Sequence, residues 1–400
     1  MKSSKKIFIL AGESSSDFIG STLMDGLINN LDKKPYFFGV GGNLMQKRGL
    51  KSIFDMNDLN IIGLVNTIFN YKSLKKRINE LVDLIMLEKP EAIITIDSKG
   101  FSLNLAKELK KKFKKSGFKS PLIHFVPPTI WAYGKSRAKK WIGVHDILFC
   151  LFKKEVGIFK ELNIECIYTG NPFVEKFLKE KYRTFNKIEI KQKFLLNNKN
   201  FNVLLLPGSR DSEIRYILLD FIKLIKLTNN ENISWIMPTT KLQYPEIIKT
   251  LNRHNCKDNV KVIILEENYE ILKVADLAVA CSGTVTLELA MFSIPTIAVY
   301  KSDWLSSLVG RNLVDFKNVI LPNFLLDKQL IPFLFQEKCN SCDINRLLNK
   351  YITSIDIIKA EYDLASKVIL DNLDYFESHK TIFSNKSSKK ILNIIDNFSF

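Results

Sequence analysis

Two strand-to-helix turns and one strand-end carboxylate carry the residue types and spacings in this chain that can do chemistry. The stretch "ACSGTVTLE", residues 280–288, reads as the end of a buried strand, a tight Ser-Gly-Thr turn and the first turn of a helix. The first N–H groups of a helix lack internal partners and its dipole adds partial positive charge, so an anion is the natural guest. Gly283 lets the backbone approach a phosphate closely, Ser282 and Thr284 can donate hydroxyls, and Glu288 lies one helical turn beyond Thr284. A carboxylate there suits sugar hydroxyls, although an ordinary Ser/Thr helix cap would use the same residue types. The stretch "LLLPGSRDSEI", residues 204–214, is a second such turn, with Arg210 placed for bidentate phosphate contact. Two anion-ready turns in one half of the chain point to a diphosphate. Neither has P-loop spacing, and "GVGGNLMQKRG" fits a dinucleotide fingerprint poorly, so ATPase and dehydrogenase chemistry are disfavoured.

The first half offers a different chemistry. Asp97 ends the apolar run "AIITID" and is followed by "SKGF", which places its carboxylate at a strand end rather than inside a sheet. Such a carboxylate can act as a general base, or it can cap the next helix. "AGESSSD" is a third strand-to-helix turn, with Glu13 and Asp17 as polar candidates and Ser14 to Ser16 as donors.

The elements that must position these groups form two series. In the first half, "KKIFILAG", "YFFGVGG", "EAIITID", "PLIHFVPP", "DILFCLF" and "IECIYTG" are short apolar runs separated mostly by segments of helical period. In the second, "FNVLLLPGSR", "ISWIMPTT", "VKVIILEE", "DLAVACSG" and "PTIAVY" repeat the pattern. Near-continuous apolar strands alternating with helices predict parallel sheets covered on both faces, an α/β fold of two doubly wound domains. The expected boundaries are 1–172, a lysine-dense linker 173–199, 200–340, and C-terminal helices over 341–400, with "SNKSSKK" breaking the pattern before a short last helix. Ligands in such sheets sit beyond the carboxyl ends of the strands, which makes the cleft between domains the default site.

Composition narrows the class. At 400 residues, 46% hydrophobic and 25% charged, the chain has the make-up of a globular protein with two cores. No apolar run reaches the roughly 18 residues of a membrane span, and the N-terminus reads as a first strand rather than a signal peptide. Six scattered cysteines suit a reducing, cytoplasmic setting, and the Cys339/Cys342 pair lacks the second pair or histidines of a zinc set. The net charge of +17 is uneven: residues 1–180 hold 30 Lys+Arg against 18 Asp+Glu, the remaining 220 hold 29 against 24. A basic first half attracts phosphate, whether of a substrate or a lipid headgroup. No RNP-like, zinc-finger or helix-turn-helix signature accompanies it, so no nucleic acid is expected as partner.

Taken in order, "GESSSD", "GVGG", "ID...F", "VPPTIWAYGKSR", "TGNP", "LLLPGSR..E", "SGTVTLE", "P.IAVY" and "LPNFL" resemble the lipid-A-disaccharide synthase family of lipopolysaccharide assembly, over residues 6 to about 336. The resemblance implies a GT-B fold, two Rossmann-like domains facing across a cleft, and an inverting transfer with no metal and no cofactor. It implies UDP-2,3-diacylglucosamine as donor and 2,3-diacylglucosamine 1-phosphate as acceptor, with Asp97 as the catalytic base. It assigns Arg210, Glu213, Glu288 and Asn323 to donor and phosphate binding, and brings Trp131 and Arg137 near the cleft as binding or hinge residues. Arg210 and helix N-termini can stabilise the leaving diphosphate where no Asp-x-Asp metal motif occurs.

Departures from the family pattern fall at Ser16, where glycine is usual, at Lys99 and Gly100, which replace Pro and Asp, at Ser102, which replaces Asn, and at Asn171, which replaces His. With the resemblance, "LNIIGLVNTIFNYKSLKKRI", residues 59–78, reads as an interfacial segment beside Lys72, Lys75, Lys76 and Arg77, and "KELKKKFKKSGFK" adds a second basic face. The expected location is thus cytoplasmic, peripheral on the anionic inner face of the inner membrane, with a homodimer left open. Another GT-B UDP-sugar enzyme such as a UDP-GlcNAc 2-epimerase, or an inactive lipid-binding relative, are the alternatives.

Overall fold

A computed structural model describes residues 4–59, 71–133, 135–181, 186–228, 230–302, 315–316, 318–374 and 382–398, the side chains of 71, 133 and 135–137 excepted. The chain forms two compact units, Met1–Glu175 with Asn372–Phe400, and Lys176–Asp371.

In the first unit seven strands, β1 (Lys6–Ala11), β2 (Tyr36–Val40), β3 (Lys51–Ser52), β4 (Ala92–Ile96), β5 (Leu122–Phe125), β6 (Ile147–Cys150) and β7 (Cys166–Tyr168), pair in parallel in the order β3-β2-β1-β4-β5-β6-β7. All five residues of β4 are buried, as a strand covered on both faces requires. The chain moves outward from β1 through β2 to β3, then returns to place β4 on the other side of β1. The strand order therefore reverses between β1 and β4, and their carboxyl ends form the topological switch point.

The second unit repeats this with β8 (Phe201–Leu206), β9 (Ile233–Thr239), β10 (Val260–Ile264), β11 (Leu277–Cys281), β12 (Thr296–Tyr300) and β13 (Phe333–Phe335), in the order β10-β9-β8-β11-β12-β13. Its switch point lies between β8 and β11. Val203 and Leu205 enter one core cluster while Leu204 and Leu206 enter the cluster on the opposite face. That period of two buries both sides of the strand, and each such side chain stabilises by roughly 1.5–3 kcal/mol. Helix Asp211–Thr228 covers the first face with Ile214, Ile217, Leu218, Phe221, Ile222, Leu224 and Ile225. The chain is thus α/β, two Rossmann-like doubly wound domains; the eleven apolar runs are strands, and β3 and β13, three residues or fewer, lie at sheet edges beyond the reach of a period argument.

The boundaries differ from expectation in two places. Residues 173–199 hold most of helix Pro172–Lys181 and the whole of helix Lys187–Lys193, whose Ile190 joins Leu204 and Leu206 in the core of the second unit. The 341–400 block also divides: helices Ser341–Thr353 and Ile355–Asn372 lie with the second unit, whereas Phe383–Asn397 belongs to the first. "SNKSSKK" lies inside this last helix rather than breaking it. Ser384, Ser387 and Ser388 are buried, Asn30 Nδ2 donates to Ser388 Oγ at 3.0 Å, and a Cβ on Gly26 of helix Ser14–Asn29 would fall 2.0 Å from the Ser384 carbonyl oxygen. Serine reads as a loop residue in a propensity argument, but here small side chains form the seam that lets two helices approach.

Candidate active site

At the first switch point the chain leaves β4 through two consecutive left-handed residues, Asp97 at φ 52° and Ser98 at φ 46°. Such a turn is strained for non-glycine residues, and the surroundings hold it in place. The Asp97 N–H donates to Phe125 O of β5 at 3.0 Å, and Ser102 Oγ donates back to Asp97 O at 2.8 Å from helix Lys99–Ser116. On the β1 side, a Cβ on Gly12 would sit 2.0 Å from Ser98 Oγ, so glycine is what permits the two strand ends to touch. The Asp97 side chain remains 24% exposed, with Lys99 Nζ 3.8 Å from its Oδ1. An accessible carboxylate on a braced strand end can take a proton from an incoming hydroxyl. The next strand also ends under strain, at Val126 with φ 60°. That value is an outlier for a β-branched residue.

At the second switch point the two predicted turns follow the adjacent strands β8 and β11. Glu213, in the first turn of helix Asp211–Thr228, is 5% exposed and bends back over the Pro-Gly-Ser-Arg turn. Its Oε2 accepts from the N–H of Ser209 at 2.9 Å and of Arg210 at 3.3 Å, while Oε1 accepts from Arg210 Nη1 at 2.9 Å. Gly208 has φ 113°, and a Cβ there would fall 2.4 Å from Glu213 Oε2. Gln243 braces the turn from outside, donating to Ser209 O at 3.3 Å and Asp211 Oδ1 at 2.7 Å. Glu213 therefore shapes the loop and aims Arg210, whose guanidinium is the cation the turn presents.

After β11 the backbone opens differently. Gly283 caps helix Thr284–Met291 with an extended backbone, and a Cβ built on it meets nothing within 4 Å. The fold itself does not need a glycine here; its effect is to leave the helix N-terminus uncovered. Ser282 is half-buried and its N–H donates to Val299 O at 2.8 Å, and Thr284 opens the helix half-buried. Glu288, one turn on, is buried, and its Oε2 accepts from Tyr269 Oη at 2.7 Å and pairs with Lys176 Nζ at 3.4 Å. The same ammonium lies 3.6 Å from the Tyr269 ring centroid. Burial, reinforced by Glu288, pushes the Tyr269 phenol well above its ordinary range, so it stays a donor. Sequence spacing gives no signal for this triad, because its members lie 19 and 112 residues apart from Glu288.

The other expected site residues divide. Glu13 caps helix Ser14–Asn29 in an extended conformation, with Ser14 exposed as its first residue. Asp17 turns inward: its carboxylate accepts from the N–H groups of Gly42 and Leu44 at 2.9 Å each and of Met45 at 3.1 Å. Burial raises its pKa despite those bonds. Asp17 therefore holds the Gly-Gly turn after β2. Asn323 is also bonded to backbone. Its Oδ1 accepts from Leu330 and Ile331 N–H at 3.0 and 2.9 Å and its Nδ2 donates to Ile331 O at 2.9 Å, so the buried amide staples the approach to β13. Trp131 is partly buried and packs against the cluster of Ile130, Trp141, Leu148 and Phe159. Arg137 lies in the 3-10 helix Lys135–Trp141, and its side chain lies outside the described residues. Of the departures, Asn171 caps helix Pro172–Lys181 by accepting from Phe173 N–H at 2.9 Å, and Ser16 is buried with no partner for its hydroxyl among the described residues.

A model of the lipid-A-disaccharide synthetase family matches residues 7–385. The chain belongs to this family. Among lipid-A-disaccharide synthases, that of Rickettsia canadensis (strain McKiel) is 34% identical over 354 residues, covering 87% of this chain and 88% of the relative. That of Gluconobacter oxydans (strain 621H) is 30% identical over 373 residues, covering 92% and 86%. Two solved structures share the fold at low identity. The UDP-GlcNAc 2-epimerase from Neisseria meningitidis, bound to UDP-GlcNAc, has a TM-score of 0.62 at 13% identity and covers 98% of this chain and 100% of its own. A glycosyltransferase from Rickettsia africae ESF-5 has a TM-score of 0.56 at 10% identity, with both chains fully covered.

As a member of this family, the chain is a glycosyltransferase of lipid A biosynthesis with the GT-B fold. No helix among the described residues is long and apolar enough to cross a membrane. Of the expected interfacial segment 59–78, residues 60–70 lie outside the described residues. Lys72, Lys75 and Lys76 stand on helix Tyr71–Glu88, where Arg77 pairs with Asp58 at 2.7 Å and Glu80 at 3.1 Å. Cys339 is buried and Cys342 exposed, and no group of three metal-ligating side chains occurs among the described residues.

Proposed function

We propose that this protein transfers 2,3-diacylglucosamine from UDP-2,3-diacylglucosamine to 2,3-diacylglucosamine 1-phosphate, giving the β-1,6-linked disaccharide 1-phosphate and UDP. The observation that carries the reading is the placement of complementary chemistry at the two switch points: an accessible carboxylate at β4, and paired anion-ready turns on adjacent strands β8 and β11. Asp97 takes the proton of the acceptor 6-hydroxyl as that oxygen attacks the anomeric carbon of the donor. The bond to the diphosphate breaks in the same displacement, so configuration inverts. Arg210 and the N–H groups at the start of helix Thr284–Met291 hold the departing diphosphate, where charge develops. Ser282 and Thr284 donate to its oxygens, and Glu288 receives hydroxyls of the nucleotide sugar.

A turnover assay with purified protein, both acylated substrates in detergent and EDTA present tests this directly. The wild type forms disaccharide 1-phosphate, and Asp97→Ala loses about 100- to 10,000-fold in kcat while UDP binding persists. Absence of product from the wild type with UDP binding intact overturns the substrate assignment. Turnover of unacylated UDP-GlcNAc in its place points instead to an epimerase-like enzyme.

A further inference from the structure

Lys99 occupies a place that the local fold gives no reason to fill with a cation. It is the first residue of helix Lys99–Ser116, where the helix dipole opposes positive charge and the first turn holds no acidic residue. Its side chain is 35% exposed, and among the described residues its one ion pair is with Asp97, 3.8 Å away. The spacing is built in: the two left-handed residues Asp97 and Ser98, pinned by Gly12, Phe125 and Ser102, hold the helix start over the carboxylate. His124, buried within β5, and Glu155, buried at the start of helix Lys153–Lys160, also lie within the field of this ammonium.

We infer that Lys99 reads the phosphate of the acceptor by exchanging partners, its ammonium leaving Asp97 for that phosphate when the acceptor seats. The inference rests on the acceptor proposed above, whose anomeric phosphate and 6-hydroxyl belong to one sugar ring. A point charge on a flexible four-carbon stem can swing between two anions while its backbone stays fixed. In the free protein the ammonium stands 3.8 Å from Asp97 Oδ1, an ion pair that leaves the carboxylate accessible. A doubly charged phosphate outcompetes the single carboxylate for it, and the freed Asp97 then accepts the hydroxyl proton. The base is thereby released by the substrate that requires it, and an acceptor without phosphate leaves it engaged.

The test compares kcat/KM for 2,3-diacylglucosamine 1-phosphate and for 2,3-diacylglucosamine lacking the phosphate, at saturating UDP-2,3-diacylglucosamine, in wild type, Lys99→Met and Lys99→Arg. Wild type prefers the phosphorylated acceptor by roughly ten- to a hundredfold, the range of a charge-assisted hydrogen bond. Lys99→Met loses that preference through the acceptor KM, while its rate on the phosphate-free acceptor holds or rises; Lys99→Arg restores most of the preference. A Lys99→Met protein that keeps the preference, or that loses activity equally on both acceptors, overturns the assignment of Lys99 alone. A wild type that makes no disaccharide from either acceptor overturns the proposed reaction and this inference together.

Discussion

Tyr269 Oη donates a 2.7 Å hydrogen bond to Glu288 Oε2, and both side chains are buried. The 3-10 helix Tyr269–Val274 and helix Thr284–Met291 are thereby joined beside the Ser-Gly-Thr turn. Removing the hydroxyl leaves a buried carboxylate oxygen with Lys176 as its remaining partner. Tyr269→Phe is expected to lower stability by about 1–3 kcal/mol and to raise the donor KM several-fold with little change in kcat. Chemical denaturation and initial-rate kinetics check the two effects separately.

Gly208→Ala should act through the loop rather than the chemistry. The new methyl falls 2.4 Å from Glu213 Oε2 and 2.6 Å from its Cβ at a backbone φ of 113°, so the turn must shift against the helix start and the bonds from Ser209 and Arg210 N–H are disturbed. The expected result is weaker UDP binding by calorimetry, matched by Glu213→Ala, whose buried bonds to the same turn are lost. Equal UDP affinity in both variants and wild type would remove the turn from the nucleotide site.

Asn323→Ala separates scaffold from site. Three hydrogen bonds to residues 330 and 331 disappear inside the core, which is expected to cost about 2–4 kcal/mol of stability. Donor KM at a temperature where the variant is folded should match the wild type; a large KM increase there would restore a binding role.

The first unit contains its own acid sensitivity. Burial, with help from His145 and Lys99, holds His124 well below the ordinary imidazole range, and burial with Lys110 lowers His145 to about 3. The Trp141 and His145 rings stack, the His124 ring packs tilted against both, and His124 Nδ1 lies 2.8 Å from Thr95 Oγ1. Each histidine is neutral in the fold and protonated in the unfolded chain below about 6.5, so stability is full above that pH and falls as pH drops, by at most about 1.4 kcal/mol per unit for each ring. Glu155 runs the other way. Burial lifts it to about 8 against its N–H bonds from Leu151 and Phe152, so its contribution is full below about pH 4.5 and is lost as pH rises toward 8. Denaturation midpoints across pH 4.5–8.5 should peak near neutrality, His145→Phe should flatten the acid limb, and Glu155→Gln the alkaline one. Unchanged limbs in these variants would show that the three groups do not set the profile.

Much of the fold is legible because its strands are covered on both faces. Continuous apolar runs such as "AIITID" and "DLAVACSG" cannot be mistaken for amphipathic helices, and their alternation with helical periods leaves few topologies besides a parallel sheet. The two-residue β3 and three-residue β13 escape because they are held by neighbours rather than by their own pattern. The serine-rich end of the chain reads as a loop for the converse reason: its helix is stabilised by close contact with helix Ser14–Asn29, not by propensity.

The sequence by itself determined the strand-to-helix junctions, because glycine, hydroxyl and charge at a strand end are local requirements of a tight turn into a helix. It determined Asp97 as a strand-end carboxylate on the same ground. Only the tertiary structure decided which polar side chains remain available: Asp97 stays accessible, Arg210 is aimed by Glu213, and Asp17 and Asn323 are consumed by backbone N–H groups brought from 25 and 7 or more residues away. A one-dimensional pattern names the donors and acceptors, but whether each is satisfied depends on neighbours that only folding assembles.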